Sequence, residues 1–225
     1  MSNMKSVLCL PLIGAVLFAF SNPACAADTL PASPSLTDET NGYVGKPYGG
    51  QPQSIPGVIQ AEHYDVAPGD VVDGITFHYQ GQARKSDFRP TADGIGLAQF
   101  GKGHVTVDGS PEDPTQVYLG WTQTGEWMKY SVHVTASGTY RIGGHFAAAA
   151  TNAKLSVTFS PALKTGPFNV PTTAGRQPGV EVYHVWERLD DLAEITLPTG
   201  DYVMTLKLEE AGGLNIDCLS FTPKP

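Results

Sequence analysis

The chain has 225 residues and a net charge of −8, in a length range that usually holds one domain or two small ones. This acidic balance argues against nucleic acid and anionic membrane surfaces as partners, because both repel a negatively charged protein. Only three cysteines are present, which argues against a disulfide-rich scaffold.

Residues 1–26 have the pattern of a signal peptide. Lys5 is followed by an uncharged apolar run and then by "PACAAD", whose Ala24 and Ala26 are the small residues of a signal-peptidase site. The run is shorter than the ~20 residues that a spanning helix needs, so we expect cleavage rather than a membrane anchor. The mature chain would have 199 residues and a charge of −9, because Lys5 is lost. Its only cysteine, Cys218, alternates with apolar strand residues, and we expect it to be buried and structural in a secreted or periplasmic protein.

Residues 27–54 are rich in Pro, Ser, Thr and Gly without an apolar period, which predicts a leader or linker. Residues 55–225 instead show short alternating segments between turns, clearest in "WMKYSVHV", "TYRIGGHF", "KLSVTF", "AEITL" and "YVMTLKL". Many short strands without a convincing helix predict one all-β domain, a β-sandwich of two antiparallel sheets. The turn "TASG" between the first two of these strands predicts an antiparallel hairpin.

Two irregular stretches, residues 80–116 and 160–182, are long enough to be functional loops. Phosphate-loop, dinucleotide, zinc-protease and serine-hydrolase signatures are absent from the sequence. Four aromatic residues instead lie beside loops or Gly-containing turns: Trp121, Trp127, Tyr183 and Trp186. Aromatic faces stack on sugar rings and amides bind sugar hydroxyls, so these loops contain the residue types of a carbohydrate site.

Four segments, taken in order, resemble successive landmarks of family 6 carbohydrate-binding modules, which are related to families 35 and 36. They are "IPGVIQAEHYD", "TGEWMKYSVHVTASGTYRI", "ITLPTGDYVMTLKL" and "GGLNIDCLSF", between residues 55 and 221. The resemblance implies a jelly-roll β-sandwich, in agreement with the strand pattern. It also implies non-catalytic binding of a polysaccharide or oligosaccharide by a module that acts alongside glycoside hydrolases. We expect the protein to be a monomer.

The resemblance implies a structural Ca²⁺ between the first and last strands. The ligand positions of the family fall on Gln60, Glu62 and Asp217, with backbone oxygens completing the shell. A hard cation with oxygen ligands would clip the two chain ends together, and it would explain how an exported domain without a disulfide is held. In the alternative, Glu62 and Asp217 are merely exposed strand ends.

The resemblance also implies a sugar site in loops at one edge of the sandwich. Its two stacking aromatics correspond to Trp121 and Tyr183, and its hydrogen-bonding amide corresponds to Asn215. The two rings would enclose one sugar, while Trp127 and Trp186 would be core residues or supports of the site.

The stretch 80–116 departs from the family, in which this connection is short. It would wall off the cleft, extend it, or bring Phe88, Arg89 and Asp93 into it. Two other functions therefore stay open. One is a polysaccharide-active enzyme, a glycoside hydrolase or lyase on the same sandwich, with catalytic acids from this loop. The other is a structural envelope protein without a sugar site, whose Trp121 and Tyr183 would turn into the core.

Some members of the family use a second site on a sheet face. In this chain Lys129, His133, Arg141 and His145 would decorate such a face. Two of them, His133 and His145, could then pair on a metal, although strand histidines are more often solvated or hydrogen-bonded.

Overall fold

The computed structural model describes residues 42–69, 73–84, 88–89 and 94–225. The signal peptide expected at 1–26, most of the leader and Asp93 lie outside these residues. In the described ranges, no helix has the length and hydropathy required to cross a membrane.

These residues form thirteen strands and three short 3-10 helices, and they contain no α-helix. The strands are β1 (Gln53–Ile55), β2 (Gly57–Gln60), β3 (Phe77–His78), β4 (Leu97–Gln99), β5 (Val105–Thr106), β6 (Val117–Leu119), β7 (Trp127–Val134), β8 (Gly138–Ala148), β9 (Lys154–Thr158), β10 (Lys164–Asn169), β11 (Val185–Leu197), β12 (Gly200–Glu210) and β13 (Leu214–Pro223). The predicted all-β class is confirmed.

The strands are arranged in two sheets that share one core. The first sheet has the order β1-β7-β12-β9-β10, with β3 also paired to β7. The second has the order β4-β6-β13-β8-β11-β5, with β2 also paired to β13. Strands β1 and β7 pair in parallel, as do β5 and β11, whereas the other pairings are antiparallel. The predicted two-sheet sandwich is confirmed, with two parallel pairings that alternation alone does not reveal.

Alternate side chains of the long strands fill the space between the sheets. Strand β7 contributes Met128, Tyr130 and Val132, and β13 contributes Ile216 and Leu219 from the opposite sheet, all of them buried. Each apolar side chain of this size stabilises the fold by about 1.5–3 kcal/mol when fully buried. Cys218 is also buried, and burial raises the pKa of its thiol to about 12, which fits the structural role expected for it.

The expected hairpin of β7 and β8 is wrong. Strand β7 pairs with β12 in the first sheet, whereas β8 pairs with β11 and β13 in the second. The turn "TASG" therefore carries the chain from one sheet to the other. A hairpin and a crossing of this kind bury alternate residues equally well, so the period of two does not distinguish them.

The separation of β7 from β8 also removes the expected common polar face. Lys129 and His133 lie on β7, while Arg141 and His145 lie on β8 in the other sheet, where His145 is fully buried. The metal pair of His133 and His145, the less favoured reading of these strand histidines, is therefore wrong.

Part of the long stretch 80–116 packs on the outer side of the second sheet. Phe100 and Tyr118 surround the buried ring of Trp186, with ring centroids 4.4 and 5.0 Å from it, and Ala147 completes this second, smaller core. Trp186 is thus a core residue, which was one of its two expected roles. The stretch covers a sheet face instead of projecting into solvent.

The residues just before the expected domain start contact the sandwich. Lys46 forms a backbone bridge with Val66, and the Tyr43 hydroxyl donates a hydrogen bond to Asp65 at 3.0 Å. Strand β1 begins at Gln53, two residues before the start expected from the sequence pattern.

Candidate functional site

Trp121 lies in the turn between β6 and β7, and 55% of its surface is exposed. Its backbone φ of 53° is left-handed, which is uncommon outside glycine and costs roughly 1–2 kcal/mol. The hydroxyl of the next residue, Thr122, donates to the carbonyl oxygen of Leu214 on β13. Tertiary contacts therefore hold the turn in a strained form that directs a large aromatic side chain outward.

Close backbone packing supports this turn from the side of β4. The Gly120 N–H donates to the carbonyl oxygen of Gly96 at 2.8 Å. A Cβ atom on Gly96 would lie 2.4 Å from the Gly120 carbonyl oxygen and 3.0 Å from the Trp121 ring. Only glycine fits at residue 96 without displacing Trp121.

Tyr183 provides the second exposed ring, in the 3-10 helix Val182–His184 just before β11. It is 41% exposed. Gly213, at a φ of 67°, lies against it so closely that a Cβ atom there would be 3.0 Å from the ring. The glycine pair before β13 therefore leaves room for the tyrosine.

Asn215 lies at the start of β13 and is 6% exposed. Its Nδ2 atom donates a hydrogen bond to the carbonyl oxygen of Tyr183 at 3.0 Å. In the described part of the chain no hydrogen bond engages its Oδ1 atom, which can accept one from a ligand. The side chain thus fixes Tyr183 and also offers an acceptor, a double role that its place in the sequence does not reveal.

The three residues expected to bind sugar line one cavity of about 510 Å³. This volume lies within the usual range for small-molecule sites. Further lining residues are Arg84, Tyr118, Gln123, Glu181 and His184. Neither Trp121 nor Tyr183 is turned into the core, as a structural protein without the site would require.

Trp186 also supports the site, its second expected role, through His104, which was not foreseen. Trp186 donates a hydrogen bond from Nε1 to Nδ1 of His104 at 2.9 Å, and the His104 ring stacks on that of His184 with centroids 3.9 Å apart. Burial lowers the pKa of His104 to about 4, with a smaller contribution from His184, so its Nδ1 is an acceptor at neutral pH. His104 and Arg84 both come from the 80–116 stretch, and no local pattern marks them, because their partners lie far away in the chain.

The other residues expected from this stretch have different places. Arg89 is 6% exposed, and its guanidinium donates to the carbonyl oxygens of Glu62, Tyr64 and Asp65. It therefore fastens the segment after β2 and does not line the cavity. Phe88 is exposed, and it does not line the cavity either.

The acids of the stretch that the structure describes also lie away from the cavity. Asp108 and Asp113 accept hydrogen bonds from the backbone of their own turns, at 3.0 Å from Ser110 and 2.9 Å from Thr115. Glu112 packs against His145, with Oε1 3.1 Å from Nε2. The acid that lines the cavity, Glu181, comes from another loop.

The residues expected to hold a metal meet where β2 and β13 pair. Gln60 is opposite Cys218 in this pairing, and Asp217 is the extra residue of a β-bulge in the neighbouring ladder with β8. Burial, aided by the negative charge of Asp217, raises the pKa of Glu62 to about 7, and the charge of Arg89 opposes this only in part. The Oε2 atom of Glu62 is buried without a hydrogen-bond partner.

The half-buried carboxylate of Glu62, whose Oε2 has no partner among the described residues, and the buried carboxylate of Asp217 suit a hard cation, which would relieve their repulsion. The hydrogen bonds of the expected third ligand, Gln60, are made by its backbone: its N–H donates to Oε1 of Gln53 at 2.7 Å, and its carbonyl oxygen accepts from Nε2 of Gln53 at 3.5 Å. Asp217 also contacts His145, with Oδ2 2.9 Å from Nδ1. Within the described ranges, no three His, Cys, Asp or Glu residues form a metal-binding group. The oxygen donors fit Ca²⁺ only if backbone or solvent oxygens complete the shell.

One protein-family model and several solved structures match this chain. The family model described as carbohydrate binding module (family 6) matches residues 100–223. Three solved structures are similar to this chain. Each match covers 76–78% of this chain and 98–99% of the solved chain. They are a module of Cellvibrio mixtus lichenase 5A in complex with cellotriose (17% identity, TM-score 0.49), a β-1,3-glucan-binding module from Bacillus halodurans (16%, 0.47) and a module from Clostridium stercorarium in complex with cellobiose (15%, 0.46). A search of curated proteins found no significant match.

Proposed function

Because this chain belongs to carbohydrate-binding module family 6, we propose that it is a secreted, non-catalytic protein that binds a polysaccharide through Trp121, Tyr183 and Asn215. The observation that carries the proposal is the convergence of these three side chains on one cavity. The signal-peptide pattern of residues 1–26 supports export to the periplasm or the medium. The protein then acts as a monomer alongside glycoside hydrolases.

Binding at this site combines stacking with directional hydrogen bonds. The exposed rings of Trp121 and Tyr183 offer apolar faces to the C–H face of a pyranose, and Asn215 accepts a hydrogen bond from a hydroxyl. The strained turn at Trp121 and the hydrogen bond from Asn215 to Tyr183 hold the groups before a ligand arrives. Preorganisation of this kind reduces the entropy lost on binding.

A structural Ca²⁺ held by Glu62 and Asp217, with an oxygen of Gln60, is part of the proposal. The buried, unpartnered oxygen of Glu62 and the mutual repulsion of the two carboxylates support it. The ion would supply positive charge between the second and last strands and so connect the two ends of the domain.

Affinity electrophoresis of the mature chain in gels containing plant, algal and microbial polysaccharides tests the sugar site. We expect retardation by at least one glycan, and a loss of affinity of about thirtyfold or more in Trp121→Ala and Tyr183→Ala, as for a central aromatic anchor. Tyr48→Ala is a matched control, because Tyr48 is 39% exposed, similar to Tyr183, and does not line the cavity. This variant should bind as the wild type does.

Absence of binding to every glycan would contradict the proposal, as would unchanged binding by Trp121→Ala. Release of sugars from a bound polysaccharide by the purified protein would indicate an enzyme instead.

A further inference from the structure

Arg84 brings a positive charge to the edge of the cavity. Two backbone hydrogen bonds with Gly94, of 3.1 and 2.9 Å, hold its backbone in place. The central carbon of its guanidinium lies 5.0 Å from the centroid of the Trp121 ring, a cation–π distance. Arg84 and Trp121 together line both the main cavity and a smaller one of about 240 Å³ on the side of β4. The guanidinium thus stands where the two cavities meet.

Among the described residues, no carboxylate lies within 4.0 Å of Arg84, whereas Arg141 and Arg176 pair with Asp191 and Glu187. Burial raises the pKa of the Glu126 carboxyl, and the positive charge of Arg84 partly opposes this increase.

Two described acids near this part of the cleft, Glu126 and Glu181, already have partners. Glu126 accepts hydrogen bonds from the backbone N–H groups of Gln80, at 3.3 Å, and Gln123, at 2.9 Å. Glu181 lies 3.7 Å from Nδ1 of His184. With respect to the acids that the structure describes, the planar donor group of Arg84 is therefore left to face solvent and ligand.

We propose that Arg84 makes the cleft selective for glycans that carry an anionic group, a uronate carboxylate or a sulfate ester, on or next to the sugar that stacks on Trp121. This inference rests on the proposed sugar site. Guanidinium binds such oxyanions through two parallel, charge-assisted hydrogen bonds, and stacking on an aromatic ring holds its plane in a fixed orientation. A neutral sugar would gain only the stacking and the hydrogen bond to Asn215, so the anionic form should bind about tenfold more tightly.

A purely supporting role for Arg84 makes a different prediction. If the guanidinium only props the Trp121 ring, its replacement weakens charged and neutral glycans by the same factor. If it recognises an anion, replacement weakens the binding of the charged glycan much more than that of the neutral one and so removes the preference.

Titration calorimetry on the mature chain separates these cases with two matched pairs of glycans at physiological salt. One pair is polygalacturonate and its carboxyl-reduced form, and the other is a carrageenan and its desulfated form. We expect a preference of about tenfold for the charged member of one pair, and the identity of that pair distinguishes carboxylate from sulfate. Arg84→Gln should abolish the preference by weakening the charged member about tenfold more than the neutral one, and Arg84→Lys should retain part of the preference because it keeps the charge without the fork.

Arg141→Gln is the control, since it removes the same charge from a strand outside the cavity and should leave the preference unchanged. Equal affinity of the wild type for both members of each pair, or binding of neutral glycans only, would overturn the selectivity and leave the sugar site standing. An equal loss for charged and neutral glycans in Arg84→Gln would also overturn it. Failure of the sugar site itself is visible separately, as unchanged binding of every glycan by Trp121→Ala.

Discussion

Gly96→Ala tests whether the backbone contact behind Trp121 builds the site. The added Cβ atom would lie 2.4 Å from the Gly120 carbonyl oxygen, whereas real Cβ atoms essentially never approach closer than 3.0 Å. The Gly120 backbone must therefore move by at least 0.6 Å, and Trp121 moves with it. The clash is with backbone and cannot be relieved by rotating a flexible side chain.

The size of the effect follows from two opposing contributions. Overpacking of this kind destabilises by about 1–3 kcal/mol, and the smaller entropy of alanine in the unfolded chain offsets about 0.4–1 kcal/mol. A net loss of about 1–2 kcal/mol corresponds to a Tm decrease of about 2–8 °C for a domain of this length. Binding should fall by about tenfold or more, because such sites tolerate displacements of only ~0.5 Å.

Calorimetric melting and affinity electrophoresis of Gly96→Ala measure both effects. Gly138→Ala is the matched control, because a Cβ atom there meets no atom within 4 Å and neither glycine has a left-handed φ. The control should melt at or above the wild-type temperature and bind normally. If Gly96→Ala melts and binds like the control, the contact between residues 96 and 120 does not position Trp121, and the reasoning is refuted.

Three further changes probe the site and its supports. Asn215→Asp removes the donor to the Tyr183 carbonyl, so binding should fall about tenfold and stability by about 1–3 kcal/mol; an unchanged Tm would show that the hydrogen bond contributes nothing. His104→Gln should flatten the pH dependence of urea unfolding between pH 6.5 and 4. In the wild type the pKa of His104 is about 4 in the folded state and 6.5 in the unfolded state. The free energy of unfolding therefore falls as the pH falls from 6.5 to 4, by at most about 3 kcal/mol. A variant with wild-type pH dependence would exclude His104 as the cause. Chelation with EDTA should lower Tm more at pH 8 than at pH 5.5, because Glu62, with a pKa of about 7 in the absence of a cation, is charged beside Asp217 only at the higher pH. Unchanged melting at pH 8 would contradict the calcium proposal.

The pattern of residues 127–134 was sufficient to predict β7 with both of its ends, because alternation of apolar and polar side chains over eight residues is a local property of a half-buried strand. The same pattern did not determine the partner of β7. Pairing with β8 or with β12 buries the same side chains, and the choice depends on how the two sheets pack.

The candidate site shows the same division. Trp121, Tyr183 and Asn215 could be nominated from their order along the chain, as landmarks of a family. Their convergence depends on β13 lying beside β6 and on the close packing of the Trp121 turn against Gly96. Neither feature has a local signal in the sequence. Arg84 and His104 were not predicted to be site residues, because each contacts an aromatic ring from a distant segment.

What the sequence alone determined is therefore the class of the fold, the longer strands and the residue types of a sugar site, because periodicity and composition are local. Strands β4, β5 and β10 lie in the stretches 80–116 and 160–182, which were expected to be irregular. Only the tertiary structure decided which strands pair and which residues share a site. It places Phe100 of the 80–116 stretch on the outer face of the second sheet, and it brings Arg84 and Trp121 to one cavity. Those features arise from contacts between residues far apart in the chain. Their energies depend on packing that no single segment contains.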